Sequence, residues 1–181
     1  MQEQEIIECL RLLGEELEEL GVHRPVRLLM IGGAYMITQF RSRLVTEDID
    51  VLVHLDRYSP EYQNFRDAIR YVAQDAQMSW KWLSINVGDF MEEVGKVPRG
   101  KLWFEHRKLR VYVPEPEYVL VLKILAARDK DVPDLQFLFQ HLRLTKRKQV
   151  ERLLKKFVSQ DMLEDKEYSE RVERVLMDFF G

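Results

Sequence analysis

The sequence predicts a mixed α/β (α+β) protein: a small α/β unit over residues 1–114, then a helical region over 115–181 packed on that core. Three observations predict it. Short apolar runs rich in β-formers alternate with stretches of helical periodicity up to about residue 113. From Tyr118 onward the periodicity is helical throughout. No internal repeat, low-complexity tract or long linker interrupts the chain.

The elements follow in order. Ile6, Leu10, Leu13, Leu17 and Leu20 recur at three- and four-residue spacing, which predicts an amphipathic helix over 3–20 that Gly21 stops. Val26–Ile31, after Pro25, reads as a buried strand, and 33–42 as a helix. Ile49–Leu55 is a strand interrupted by Asp50 and His54. Ser59-Pro60 starts a helix that runs to about Ala73. Strands are expected at Trp80–Val87, Lys101–His106 and Leu109–Val113, with Arg107-Lys108 as a hairpin turn. Gly88–Gly100, punctuated by Gly88, Gly95, Pro98 and Gly100, reads as an irregular loop. Four helices complete the chain: Tyr118–Arg128, Asp131 to about Leu142 with Pro133 in its first turn, one capped by Thr145 and running to Ser159, and 167–180.

Bulk properties narrow the function. The 181 residues are 46% hydrophobic, enough for a core without disulfides or metal staples. With 28 basic and 31 acidic side chains the net charge is -3, which excludes a bulk nucleic-acid coater but allows local patches. Residues 1–20 hold seven glutamates against Arg11, whereas 141–157 are strongly basic. Cys9 is the one cysteine, so no intramolecular disulfide or multi-cysteine zinc site forms. The acidic start lacks the regions of a signal peptide, and no apolar run approaches membrane-spanning length. The expectation is a soluble, cytoplasmic protein without membrane contact.

The chemistry concentrates in Ile31-Gly32-Gly33-Ala34 and Thr46-Glu47-Asp48-Ile49-Asp50-Val51. In a strand, residues i and i+2 share a face about 6–7 Å apart, so Asp48 and Asp50 would point the same way and could share one or two magnesium ions. Glycines at a strand-to-helix turn let backbone amides approach a phosphate at the positive end of the helix. Arg41 and Arg43 could neutralise phosphate charge, and Thr46 could orient the loop that carries Asp48. Each motif alone has an ordinary explanation, a turn or a solvated strand face. Together they put two acids beside an otherwise apolar run, where a metal offsets the cost of unpaired charge.

Gly-Gly, a helix, then Arg43-x-x-Thr46-x-Asp48-Ile49-Asp50-Val51 resembles the signature of the DNA polymerase β-like nucleotidyltransferase superfamily. The likeness is nearest to minimal nucleotidyltransferases of the abortive-infection and toxin–antitoxin types. The segment Lys123 to Leu135, with Arg128-x-x-Asp131-x-x-Asp134 opening a helix, is similar to that subgroup too. The resemblance covers residues 26–56 and 117–140. It implies a short mixed β-sheet flanked by helices, with a helical C-terminal part closing over the nucleotide. It implies that Gly32 and Gly33 bind triphosphate with Arg43 and Thr46, and that Asp48 and Asp50 bind Mg2+ (or Mn2+). Lys123 would contact phosphate or stabilise transition-state charge, and Asp131 or Asp134 would complete the acidic cluster or orient the acceptor. Two departures stand out. Gly33 replaces the serine of many members, and the strands offer only Glu105 as a third carboxylate.

Lys123 is the only charge within Tyr118–Ala127; a lysine in so apolar a helix either snorkels at a rim or faces a polar site. Acids in a first helical turn, as at Asp131 and Asp134, also answer to the helix dipole. Arg143–Lys156 could bind RNA or an acidic partner, but its apolar residues favour a packed helix with a solvated face. Trp80, Trp82, Trp103 and Phe104 could stack bases, although alternating strand burial accounts for them. His54 shares the parity of the aspartates and could reach the site. Two functional expectations result. One is a magnesium-dependent enzyme that moves a nucleoside monophosphate from a nucleoside triphosphate to a protein or RNA hydroxyl. The other is a catalytically inactive binding module of the same fold, acting on a protein partner in a toxin–antitoxin pair.

Overall fold

The computed structural model describes residues 1–181. Five strands form one mixed sheet in the order β3-β2-β1-β5-β4. β1 (Val26–Ile31) lies at its centre, antiparallel to β2 (Ile49–Val53) and parallel to β5 (Leu109–Val113). β3 (Leu83–Ser84) runs parallel to β2, and β4 (Lys101–His106) antiparallel to β5. A short mixed sheet with helices is therefore the fold.

The chain divides into two compact units, residues 1–88 with 99–114 and residues 89–98 with 115–181. The first holds the sheet. β1 is buried at every residue but Arg27, as a central strand must be, so it reads as a continuous apolar run. α1 (Glu3–Glu19) buries Ile6, Leu10, Leu13 and Leu17 and packs against β4, β5 and the helix over Pro60–Asp75. Gly14 lets it approach closely: a Cβ there would collide with the His106 carbonyl. α2 (Gly32–Phe40) follows β1 without an intervening loop, and α3 (Pro60–Asp75) starts where Ser59 caps it, its Oγ accepting from the Tyr62 amide at 3.1 Å.

The second unit is helical. α5 (Pro116–Ala126) is buried at every residue from Tyr118 to Leu125 and packs against α6 (Val132–His141), α7 (Arg147–Phe157) and α9 (Lys166–Phe180). A 3-10 turn over Asp129–Asp131 links α5 to α6. A helix so apolar all round has to be interior.

Several expectations are corrected. The strand expected at Trp80–Val87 is only Leu83–Ser84, because Ser79–Trp82 forms a turn, with the Trp82 amide donating to the Ser79 carbonyl at 3.0 Å. The expected loop after Gly88 contains α4 (Val87–Val94), whose Met91 and Val94 are fully buried. Gly88 is tolerated there, since a Cβ would sit 3.0 Å from Leu52. Thr145 does not cap α7. The Gln149 side chain instead accepts from the backbone amides of Thr145 and Lys146, both at 2.9 Å. An unforeseen short helix, α8 (Gln160–Glu164), precedes α9. No helix is long and apolar enough to cross a membrane.

Candidate active site

The site is built where β1 turns into α2. Gly32 has φ +70, a left-handed conformation that L side chains rarely adopt. Its bare Cα is also the floor for Asp50: a Cβ would overlap the Asp50 carboxylate, with Asp50 Cβ and Cγ each 3.1 Å away. The register explains the approach, because Asp50 of β2 stands opposite Ile31, the last residue of β1. The carboxylate therefore lies at the N-terminus of α2, where the helix dipole favours negative charge. Ile31 is the N-cap and has no polar atom to cap the helix, so the first turn is formed by bare glycine backbone.

Gly33 plays the matching part for the connecting segment. A Cβ on it would collide with the Thr46 hydroxyl and come within 3.1 Å of Arg43 Nη1. Thr46 Oγ1 donates to the Asp48 carbonyl at 3.1 Å, and its amide donates to the Met1 carbonyl at 2.9 Å. Arg41 pairs with Glu3 at 3.2 Å. The loop between α2 and β2 is thus tied down at both ends. Gly32, Gly33, Arg43, Thr46 and Asp50 come together around one turn.

Asp48 stands just ahead of β2, which starts at Ile49 as expected, two residues before Asp50. Both acids are half-buried. Asp48 lines a cleft of about 420 Å³ on the β3 side of β2, together with Arg66, Arg70, Trp80, Lys81 and Asn86. These five were not singled out as a group. Arg66 and Arg70, four residues apart on the exposed face of a helix, were the available signal.

No third strand carboxylate joins Asp50. Glu105 lies on edge strand β4, at the opposite side of the sheet from β2, and pairs with Arg110 at 2.7 Å. Ser84 stands opposite Asp50 in β3, so that neighbour offers a hydroxyl. No group of three His, Cys, Asp or Glu residues is arranged to hold a metal. His54 is corrected as well: it is exposed beyond the far end of β2, about 13 Å along the strand from Asp50.

In the helical unit, Lys123 is the centre of a buried ion cluster. Its Nζ lies 2.6 Å from Asp131 Oδ1 and 2.7 Å from Asp134 Oδ2. Lys123 and Asp131 are each 6% exposed, and Asp134 1%. α5 supplies the lysine, while the 3-10 turn and the first turn of α6 supply the acids. The lysine neither snorkels nor stands alone. It neutralises acids that could not otherwise be buried, and they neutralise it. The three residues are brought together as one group with a formal charge of one negative.

The donor set at the glycine turn suits a hard divalent cation. Magnesium is commonly held by one or two carboxylates and completed by substrate phosphates; Asp50 at the glycine turn, with Asp48 two residues before it in the chain, supplies that donor type.

A family model described as "nucleotidyltransferase of unknown function (DUF6036)" matches residues 8–180. No curated protein and no solved structure matches the chain.

Proposed function

The chain belongs to that family of nucleotidyltransferases, and from this premise we propose that it is a magnesium-dependent enzyme of the DNA polymerase β-like type. It would transfer a nucleoside monophosphate from a nucleoside triphosphate to a protein or RNA hydroxyl, releasing pyrophosphate. The observation that carries the reading is the Asp50 carboxylate against the bare Cα of Gly32, at the start of α2. A helix N-terminus that also holds a carboxylate has a use for a cation between that acid and an incoming phosphate.

The residues divide the work. The backbone of Gly32 and Gly33 receives the triphosphate, and the Arg43 guanidinium beside Gly33 balances its charge. Thr46 holds the Asp48 backbone in place through its 3.1 Å hydrogen bond. Asp48 and Asp50 would hold magnesium or manganese, which when bound supplies charge neutralisation at the transferred phosphate. The rest of catalysis is positioning, with no covalent intermediate on the protein. A cytoplasmic setting and a toxin–antitoxin role, in which a partner protein restrains the enzyme, belong to the same proposal and rest on the likeness of the motifs.

Asp48→Ala with Asp50→Ala tests it. Incubation with α-labelled nucleoside triphosphate and magnesium should label an acceptor with wild-type protein, and the double variant should lose at least 100-fold of that rate, as removal of a principal electrostatic contribution does. Undiminished labelling by the variant would sink the assignment. A second reading, an inactive binding module of the same fold, is favoured by one observation, the absence of a third acid near Asp50. Calorimetry with magnesium and the four triphosphates separates the two: metal-dependent nucleotide binding belongs to the enzyme.

A further inference from the structure

The two sides of β2 are chemically unlike. On the β1 side, Asp50 faces the glycine turn with its Arg43. On the β3 side, Asp48 opens into the 420 Å³ cleft, a volume in the range of small-molecule sites. The cleft carries three cations, Arg66, Arg70 and Lys81, against the single carboxylate of Asp48. One wall, the Ser79–Trp82 turn, is held by hydrogen bonds. Trp82 is buried, its Nε1 donates to the Ile69 carbonyl at 3.0 Å, and its carbonyl accepts from the Ile49 amide at 2.8 Å. The turn is closed again by the Lys81 amide donating to Ser79 Oγ at 3.2 Å.

On this tethered turn Trp80 is 67% exposed, with Lys81 Nζ 5.4 Å from its ring centroid. An indole displayed to solvent on a fixed turn, beside three cations, is an unusual use of a large apolar side chain. Nothing in the unit's core requires it, since Trp82 already anchors the turn. A flat aromatic face next to spaced positive charges matches a strand of nucleotides, whose bases stack and whose phosphates are anionic. A protein acceptor would offer no such repeat of charge.

We infer that the cleft between α3 and β3 is the acceptor subsite and that it takes the end of a single-stranded nucleic acid. A base stacks on Trp80, and flanking phosphates bind Arg66, Arg70 and Lys81. The terminal hydroxyl then lies towards Asp48, two residues from Asp50 and the glycine turn that receives the triphosphate. Arg70 also pairs with Asp67 at 3.4 Å, an exposed contact that a phosphate can displace. The subsite rests on the transfer reading above for its role, but not for its binding, and the test separates them.

Binding of a fluorescent single-stranded oligoribonucleotide is followed by anisotropy without nucleotide or metal. Trp80→Ala should weaken it about 10-fold, as loss of one stacked base does. Arg66→Ala with Arg70→Ala should weaken it at least 10-fold and flatten the salt dependence by about 0.7 for each phosphate contact removed. Lys148→Ala with Arg152→Ala, exposed on α7, should leave it unchanged. Both arginines are exposed, and an unaltered melting temperature excludes misfolding. Equal binding by wild type and the cleft variants, equal loss in the α7 variant, or no binding by the wild type overturns the subsite. Transfer of label to a protein with no affinity for the oligonucleotide overturns it too. Asp50→Asn, outside the cleft, should retain oligonucleotide binding while losing transfer. Were that variant to retain transfer, the catalytic assignment would fail and the subsite would stand.

Discussion

Gly32 is the residue on which most depends, because its missing side chain makes room for the Asp50 carboxylate. The sequence marked both residues, and the antiparallel register of β1 with β2 put them in contact. Lys123 is a different case. A lone cation in an apolar helix had to have a partner, but the sequence did not say which, and Asp131 and Asp134 both serve. The cluster predicts an asymmetric response to substitution. Lys123→Ala strands two buried carboxylates and should cost about 3–5 kcal/mol in chemical denaturation. Replacing all three by apolar or amide residues of similar volume, as Lys123→Met with Asp131→Asn and Asp134→Asn, should restore most of that stability. If Lys123 acts on nucleotide, the refolded triple variant will still lack transfer. If its role is the buried cluster alone, transfer returns with stability.

Among the elements, the clearest expectations concerned β1, β4, β5 and α1, each with a strong pattern of its own. The failures at β3 and α4 have a shared cause. Trp80–Val87 is rich in β-formers, but Trp82 is drawn into the core to donate to Ile69, and the turn this needs uses up the start of the expected strand. Gly88 looked like a breaker and instead gives Leu52 space. Packing overrode local preference in both places. The α1–β4 contact predicts a pH response. Glu15 accepts a hydrogen bond from His106 at 3.1 Å and also pairs with Arg11, and together they hold its carboxyl below the ordinary value of 4.5. A carboxyl depressed in the folded state contributes stability that is present above the unfolded value and lost as pH falls through the folded one. The stability difference between wild type and Glu15→Gln should therefore be constant near neutrality and shrink below about pH 4.5. A difference that grows in acid would contradict the contact.

At the scale of the molecule, the sheet unit has a defined interior order. β1 is flanked on both sides, and Leu28–Ile31 are all buried, while β4 is an edge strand whose ladder with β5 is irregular between Leu102 and Phe104. Hydrogen exchange followed by mass spectrometry or NMR should find the slowest amides of the sheet in β1 and much faster ones in β4 and in the two-residue β3. Uniform protection across the five strands would show that the sheet opens only as a whole. The helical unit is organised around α5, whose uninterrupted burial from Tyr118 to Leu125 was foreshadowed by its apolar run.

The sequence by itself determined which residues were chemically unusual: a glycine pair after an apolar strand, two acids beside an apolar run, and a lysine in an apolar helix. Periodicity and residue type are local properties, and these features are local. Only the tertiary structure decided which partners they meet. Strand register brought Asp50 onto Gly32, and removed Glu105 and His54 from contention. The placement of Asp48 just before β2 turned it towards a cationic cleft, and the close of α6 on α5 joined Lys123 to two acids. Those meetings depend on sheet order and on packing between distant segments, which no short window of sequence encodes.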